Sequence, residues 1–147
     1  AGVTYFTLRQ RWDPGAKYMP DARDRLTKGN QRTRIRPDIP VTSDTQRKSL
    51  DKPAYEAIFE PESDGMAAWM LRCGRDQSLK LPDARGTGGQ YIVVAHGELM
   101  WDGRAFDKWS TLFVMPDEPP PPLTATQHGV DLLILQFPAC PGPHQEA

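Results

Sequence analysis

His96, His128 and His144 are the three histidines of this 147-residue chain, and they stand far apart in sequence. Imidazole acts as a general base, a metal ligand or a ligand-orienting group, so each is a candidate for chemistry. Because of that separation, a zinc site built from all three would need a coincidence of folding. His96 stands out by context. It closes the run Gln90-Tyr91-Ile92-Val93-Val94-Ala95-His96, and alternation puts Gln90, Ile92, Val94 and His96 on one face of a strand. An apolar wall with an amide and an imidazole is the composition of a small-ligand pocket. A core face ending in a satisfied polar pair has the same composition. Arg72 alternates with Trp69, Leu71 and Cys73 on the preceding strand. It either places a guanidinium near the same cavity, favouring an anionic ligand, or points to solvent.

Other chemistry is weakly supported. There is no Gly-x-Ser-x-Gly elbow, and Gly86-Thr87-Gly88-Gly89 lacks the Lys and following helix of a phosphate loop. Glu60, Glu62 and Asp64 lie in a turn and read as solvated rather than as an acid and base pair. Cys73 reads as a small core residue and Cys140 as an incidental thiol of a proline-rich tail.

These residues need elements to hold them. The chain has 15 prolines and 12 glycines, which excludes a long-helix bundle or coiled coil. No run approaches the roughly 20 apolar residues of a membrane helix, so a soluble protein with no membrane partner is expected. The opening residues show no signal-peptide pattern. The missing Met fits initiator removal, signal cleavage or a shortened chain; the compartment stays open, with the cytoplasm slightly favoured.

The net charge of −1 hides a division. Residues 1–52 carry twelve basic and six acidic side chains, about +6, and the remainder about −7. Residues 1–52 read as an extended basic arm, with a turn at Asp13-Pro14-Gly15 and a short helix over Asp21–Lys28. A strand over Gln31–Arg36 would bring Arg32, Arg34 and Arg36 onto one face. Such an arm binds nucleic acid or lies on its own acidic domain or on a second subunit's. The interspersed aspartates and the lack of a stacking platform favour the second, so nucleic acid is not expected as a partner and a homodimer is.

Residues 53–147 are short apolar runs between turns: Tyr55–Phe59, Met66–Cys73, Ser78–Leu81, Gln90–Ala95, Glu98–Trp101, Ala105–Trp109, Thr111–Met115 and Asp131–Phe137. Asp102-Gly103 marks a hairpin. Pro119–Pro122 stiffens a loop, and Trp101 and Trp109 read as packing residues. About eight strands with almost no helical periodicity predict an antiparallel sandwich or small barrel.

The stretches Gly89–Leu99, Thr111–Glu118 and Asp131–Leu135 resemble the core of a cupin, a small jelly-roll barrel with two signature stretches. The resemblance covers roughly residues 54–138 and implies an all-β, antiparallel jelly-roll barrel behind the basic arm. With Gly97 as the closing glycine of the first signature, the family's Glu position is Gln90. Its two histidine positions fall at Asp83 and Arg85, or at Ala84 and Gly86. In the second signature Pro116 matches the proline, Ser110 stands at the glycine, and the histidine position is Pro121. All four metal-ligand positions thus lack the family's residue types, and no metal or other cofactor is expected, because metal centres need imidazole and carboxylate donors. The implied function is a small-molecule binding or sensing module, its ligand in the barrel against Gln90, Ile92, Val94, His96 and Arg72. The alternative is a metal-independent isomerase, epimerase or lyase with His96 as general base.

Overall fold

The computed structural model describes residues 2–8 and 33–139. Two compact units are present, Ala1–Asp38 and Ile39–Ala147. Residues 39–52, which the charge pattern groups with the arm, therefore belong to the larger unit. In the smaller unit the described residues form no helix or strand and are almost all exposed. The expected strand is not formed over Thr33–Arg36. The turn at residues 13–15, the helix at 21–28 and most of the basic arm lie outside the described residues, as do Cys140 and His144.

The larger unit is antiparallel β-sheet with one short helix. Its elements are α1 (Asp44–Lys48), β1 (Ala54–Phe59), β2 (Ala67–Cys73), β3 (Ser78–Leu79), β4 (Gln90–Trp101), β5 (Arg104–Phe106), β6 (Thr111–Val114) and β7 (Leu123–Gln136). No helix among the described residues is long and apolar enough to cross a membrane. The strand order is β1-β2-β7-β4-β5, with β3 paired to β7 and β6 paired to β4.

The two longest strands organise everything else. β4 and β7 run side by side from Gln90↔Gln136 to Met100↔Thr124, and their pairing shifts register between Val94 and His96 and again between Gly97 and Leu99. β2 pairs with the second half of β7 and β3 with its first half. β6 and β5 divide β4 in the same way. Gly97 and Gly129 sit at the irregularity with φ of +76° and +69°. A Cβ on Gly97 would lie 2.2 Å from the Gly129 carbonyl oxygen, so the close approach of the two strands requires glycine there.

The irregularity decides which side chains face the core. Before it Ile92 and Val94 face inward, and after it Leu99 does; on β7 the inward set changes from Leu123 and Ala125 to Val130, Leu132 and Ile134. All of these join one cluster with Leu71, Leu79, Leu81 and Val114, so both halves of the sheet curl around a single core. The opposite face carries a smaller cluster of Met70, Val93, Ala95 and Leu133, covered by Ile39 and Ile58. Each fully buried Leu or Ile contributes roughly 1.5–3 kcal/mol, and the inner cluster dominates.

The segment before β1 is pinned to that outer side. Ser43 and Gln46 form a capping box at the start of α1, which satisfies two backbone donors reciprocally. Arg47 is buried, and its guanidinium donates to the carbonyls of Thr42 and His128 and to the Asp44 carboxylate. The Leu50 carbonyl accepts from Gln77 Nε2 at 2.7 Å.

Most expected strands exist, with changed limits. The runs Gln90–Ala95 and Glu98–Trp101 are one bulged strand. The run at Ala105–Trp109 stops at Phe106. The final strand begins at Leu123, well before Asp131. Asp102 and Gly103, with φ of 48° and 70°, close the expected two-residue hairpin between Trp101 and Arg104.

Candidate functional site

The four residues grouped by alternation, and Arg72 with them, separate onto two faces. Gln90 is buried, and its Nε2 donates to Gln136 Oε1 at 2.8 Å and to the Pro82 carbonyl at 3.0 Å. Gln136 Nε2 in turn donates to the Gly65 carbonyl at 2.6 Å. Gln90 Oε1 has no hydrogen-bond partner among the described residues. Ile92 and Val94 are packed among Leu71, Leu132 and Ile134 in the main core.

His96 leaves this face because of the bulge. Val94 pairs with Leu132, but His96 pairs with Asp131. Asp131 has the parity of Leu133, in the outer cluster. Arg72 is the partner of Asp131 on the other side. Arg72, Asp131 and His96 thus form a row across β2, β7 and β4 on the side away from Gln90. Counting in twos puts His96 on the Gln90 face, and it fails there because an inserted residue lies between Val94 and His96. Arg72, on the unbroken β2, keeps the face opposite Leu71 and Cys73 that alternation gives it.

That row is already engaged. Arg72 pairs with Glu56 and donates to the Pro40 carbonyl at 2.8 Å. Asp131 is fully buried; its Oδ2 accepts the Thr42 N–H, while Oδ1 and the neighbouring Thr42 hydroxyl have no partner among the described residues. His96 is half-buried, and its Nδ1 accepts the Gly97 N–H at 2.7 Å, which assigns the proton of the neutral ring to Nε2. Cys73 has its thiol pushed up to about 12, first by burial and then by the Asp131 charge. Tyr55 is shifted upward by burial and by Cys73, against a bond to the Lys80 backbone.

A cleft opens elsewhere. Leu79, Lys80, Leu81 and Asp83 form one wall and Pro120, Pro121 and Pro122 the other, enclosing about 530 Å³. This is within the ordinary range for small-ligand sites. Leu79 and Leu81 are buried and supply an apolar floor continuous with the core. Asp83 is committed to Arg85: its Oδ2 accepts from the guanidinium at 2.6 and 2.8 Å, and Oδ1 accepts the Arg85 N–H at 3.0 Å. Those bonds, the guanidinium's first, hold the Asp83 carboxyl below its usual range. Lys80 is exposed. None of Gln90, Ile92, Val94, His96 or Arg72 lines this cleft. Alternation marked Leu79 and Leu81 as a strand and the prolines as a stiff loop; their meeting depends on β3 pairing with the start of β7, and that half of β7 has little apolar signal.

The residues at the family's metal-ligand positions do not fit a metal. Gln90 is uncharged and offers a single amide oxygen where the family has a carboxylate, Asp83 is bound by Arg85, and Arg85, Ala84, Gly86 and Pro121 offer no suitable donor. Among the described residues no three His, Cys, Asp or Glu side chains come together as a metal site. Trp101 packs against the core, whereas Trp109 is exposed, with Lys108 Nζ 4.7 Å from its ring centroid. His128 is exposed beside Gln127.

No family model and no curated protein match the sequence. Solved structures resemble the fold, and they include cupins. An RmlC-like cupin protein from Desulfovibrio desulfuricans is 16% identical, with a TM-score of 0.48 over 76% of this chain and 100% of that one. The Cupin_2 domain of an XRE family transcriptional regulator from Enterobacter cloacae is 14% identical, with a TM-score of 0.45 over 59% and 97%. A protein of unknown function from Rhizobium leguminosarum is 13% identical, with a TM-score of 0.45 over 72% and 99%.

Proposed function

We propose that this chain is a small-molecule binding module that works without the metal centre common in cupins, and that its ligand lies in the cleft between Leu79–Asp83 and Pro120–Pro122. The observation that carries this reading is the cleft itself: a concave, ligand-sized space with an apolar floor and charged side chains at its walls. The inner face supports it by contrast, because Ile92 and Val94 are occupied by packing and the Gln90 amide nitrogen by Gln136 and Pro82. Fragment screening by amide chemical shifts on isotopically labelled protein tests the reading. Binders should move the amides of Leu79, Lys80, Leu81 and Asp83. A ligand that instead moves Gln90, Ile92 and Val94 alone would place the site inside the barrel and overturn the cleft assignment.

The enzyme reading, a metal-independent isomerase, epimerase or lyase, has one observation in its favour. The buried Asp131 carboxylate is the cross-strand neighbour of His96, and catalytic imidazoles are often oriented by carboxylates. Full turnover by a His96→Ala variant on any substrate found would remove it.

A further inference from the structure

The cleft offers an unusual set of donors for its size, and they define what it can bind. One whole wall is proline, which has no backbone N–H. Pro82 interrupts the other wall and removes another donor. The guanidinium nearest in sequence, Arg85, has its fork turned onto Asp83. The Lys80 ammonium makes no ion pair among the described residues and is the one uncompensated charge on the lining side chains. Leu79 and Leu81 below it are apolar and continuous with the core.

We infer that the ligand is a monocarboxylate with a compact apolar body, its carboxylate on Lys80 and its body between Leu79, Leu81 and the proline wall. The inference rests on the cleft being the binding site. Phosphate esters are disfavoured by the same geometry. Their several oxygens are met by guanidinium forks or rows of backbone N–H groups, whereas the cleft presents a single flexible ammonium. A neutral ligand of the same shape would leave Lys80 without a partner and gain only apolar contact. A cation would meet Lys80 directly, since Asp83 is already neutralised by Arg85.

Phenylacetate, phenylacetamide and phenyl phosphate, titrated separately into the full chain while the cleft amides are followed, test the assignment. Phenylacetate should bind about threefold more tightly than phenylacetamide, and Lys80→Met should bring that ratio to about one. Lys80 is exposed, so the variant should keep the parent's melting temperature. Equal affinity for acid and amide, with both moving the cleft amides, would overturn the carboxylate assignment and leave the cleft reading standing. Phenyl phosphate binding more tightly than phenylacetate would overturn it likewise. No movement of the cleft amides by any probe at about 20 mM, far above the Kd of a useful site, would overturn both.

Discussion

Arg47→Met isolates the tie between the segment carrying α1 and the sheet. The Arg47 side chain is 2% exposed, and its guanidinium donates to the Thr42 carbonyl within its own segment and to the His128 carbonyl on β7. Its partner Asp44 is 76% exposed, so that ion pair is screened and adds little. The substitution keeps an unbranched apolar stem, which packs against Gly129, and removes only the fork. Two hydrogen bonds from a charged donor contribute about 1.5–3 kcal/mol each, and the relieved burial of a cation offsets part of the loss. A net cost of about 3 kcal/mol, at about 2–4 °C per kcal/mol for a chain of this size, lowers Tm by roughly 6–12 °C. Calorimetry gives the shift. Hydrogen exchange gives its location, with lost protection at Thr42, whose N–H the buried Asp131 accepts. Arg47→Lys should rescue little, because one ammonium cannot span both carbonyls. A Tm within about 2 °C of the parent, with Thr42 still protected, would refute the claim that this guanidinium holds the segment down.

Gly97→Ala should cost about 3 kcal/mol or more, since left-handed backbone costs an L residue ~1–2 kcal/mol and overpacking ~1–3; the urea midpoint measures it, and an unchanged midpoint would contradict the close approach of Gly97 to Gly129. Cys73 should resist thiol reagents at pH 8 in a Cys140→Ser background until the protein unfolds, because its folded value of about 12 lies above the ordinary 9.0. The sign for stability follows: the unfolded chain loses this proton first, so the thiol's contribution is full below pH 9.0 and declines as pH rises toward about 12. A Cys73→Val variant with the same alkaline stability slope as the parent would contradict this. Protein purified without chelator should contain far less than one equivalent of any transition metal, and a stoichiometric metal by elemental analysis would overturn the metal-free reading.

Strand texture made most of the sheet legible. Apolar runs between Pro, Gly and Asp punctuation located β1, β2, β4 and β6 closely, and Asp102-Gly103 located the β4–β5 hairpin. Two things were hidden. The first half of β7 reads Leu-Thr-Ala-Thr-Gln-His-Gly, with too few apolar residues to announce a strand; there Leu123 and Ala125 face the core while Gln127 and His128 are exposed. Helix α1 is five residues long, too short for periodicity, although Ser43-x-x-Gln46 is a capping-box pattern that marks its start. The cleft was hidden because its walls are about forty residues apart and meet only through that unannounced half of β7.

The bulge explains why the candidate residues from the sequence do not form one site. Alternation is a statement about uninterrupted strands, and one inserted residue reverses every face beyond it. Gly97 signals the irregularity, since its φ of +76° cannot continue a regular strand, but a glycine alone does not say which side chains change face. The consequence is chemical. On the inner face of β4 and β7 the buried amides among the described residues, Gln90 and Gln136, share one hydrogen bond and donate to two carbonyls, with Gln90 Oε1 left over. The ionisable side chains of the bulged region, Asp131 and His96, lie on the outer face, where Thr42 and Arg72 meet them in the fold. An inner face of this composition encloses a core, and among the described residues of β4 and β7 it leaves Gln90 Oε1 as its unpartnered buried polar atom. In the proposed reading a ligand sits instead between Leu79–Asp83 and Pro120–Pro122, where the uncompensated charge on the lining is that of Lys80.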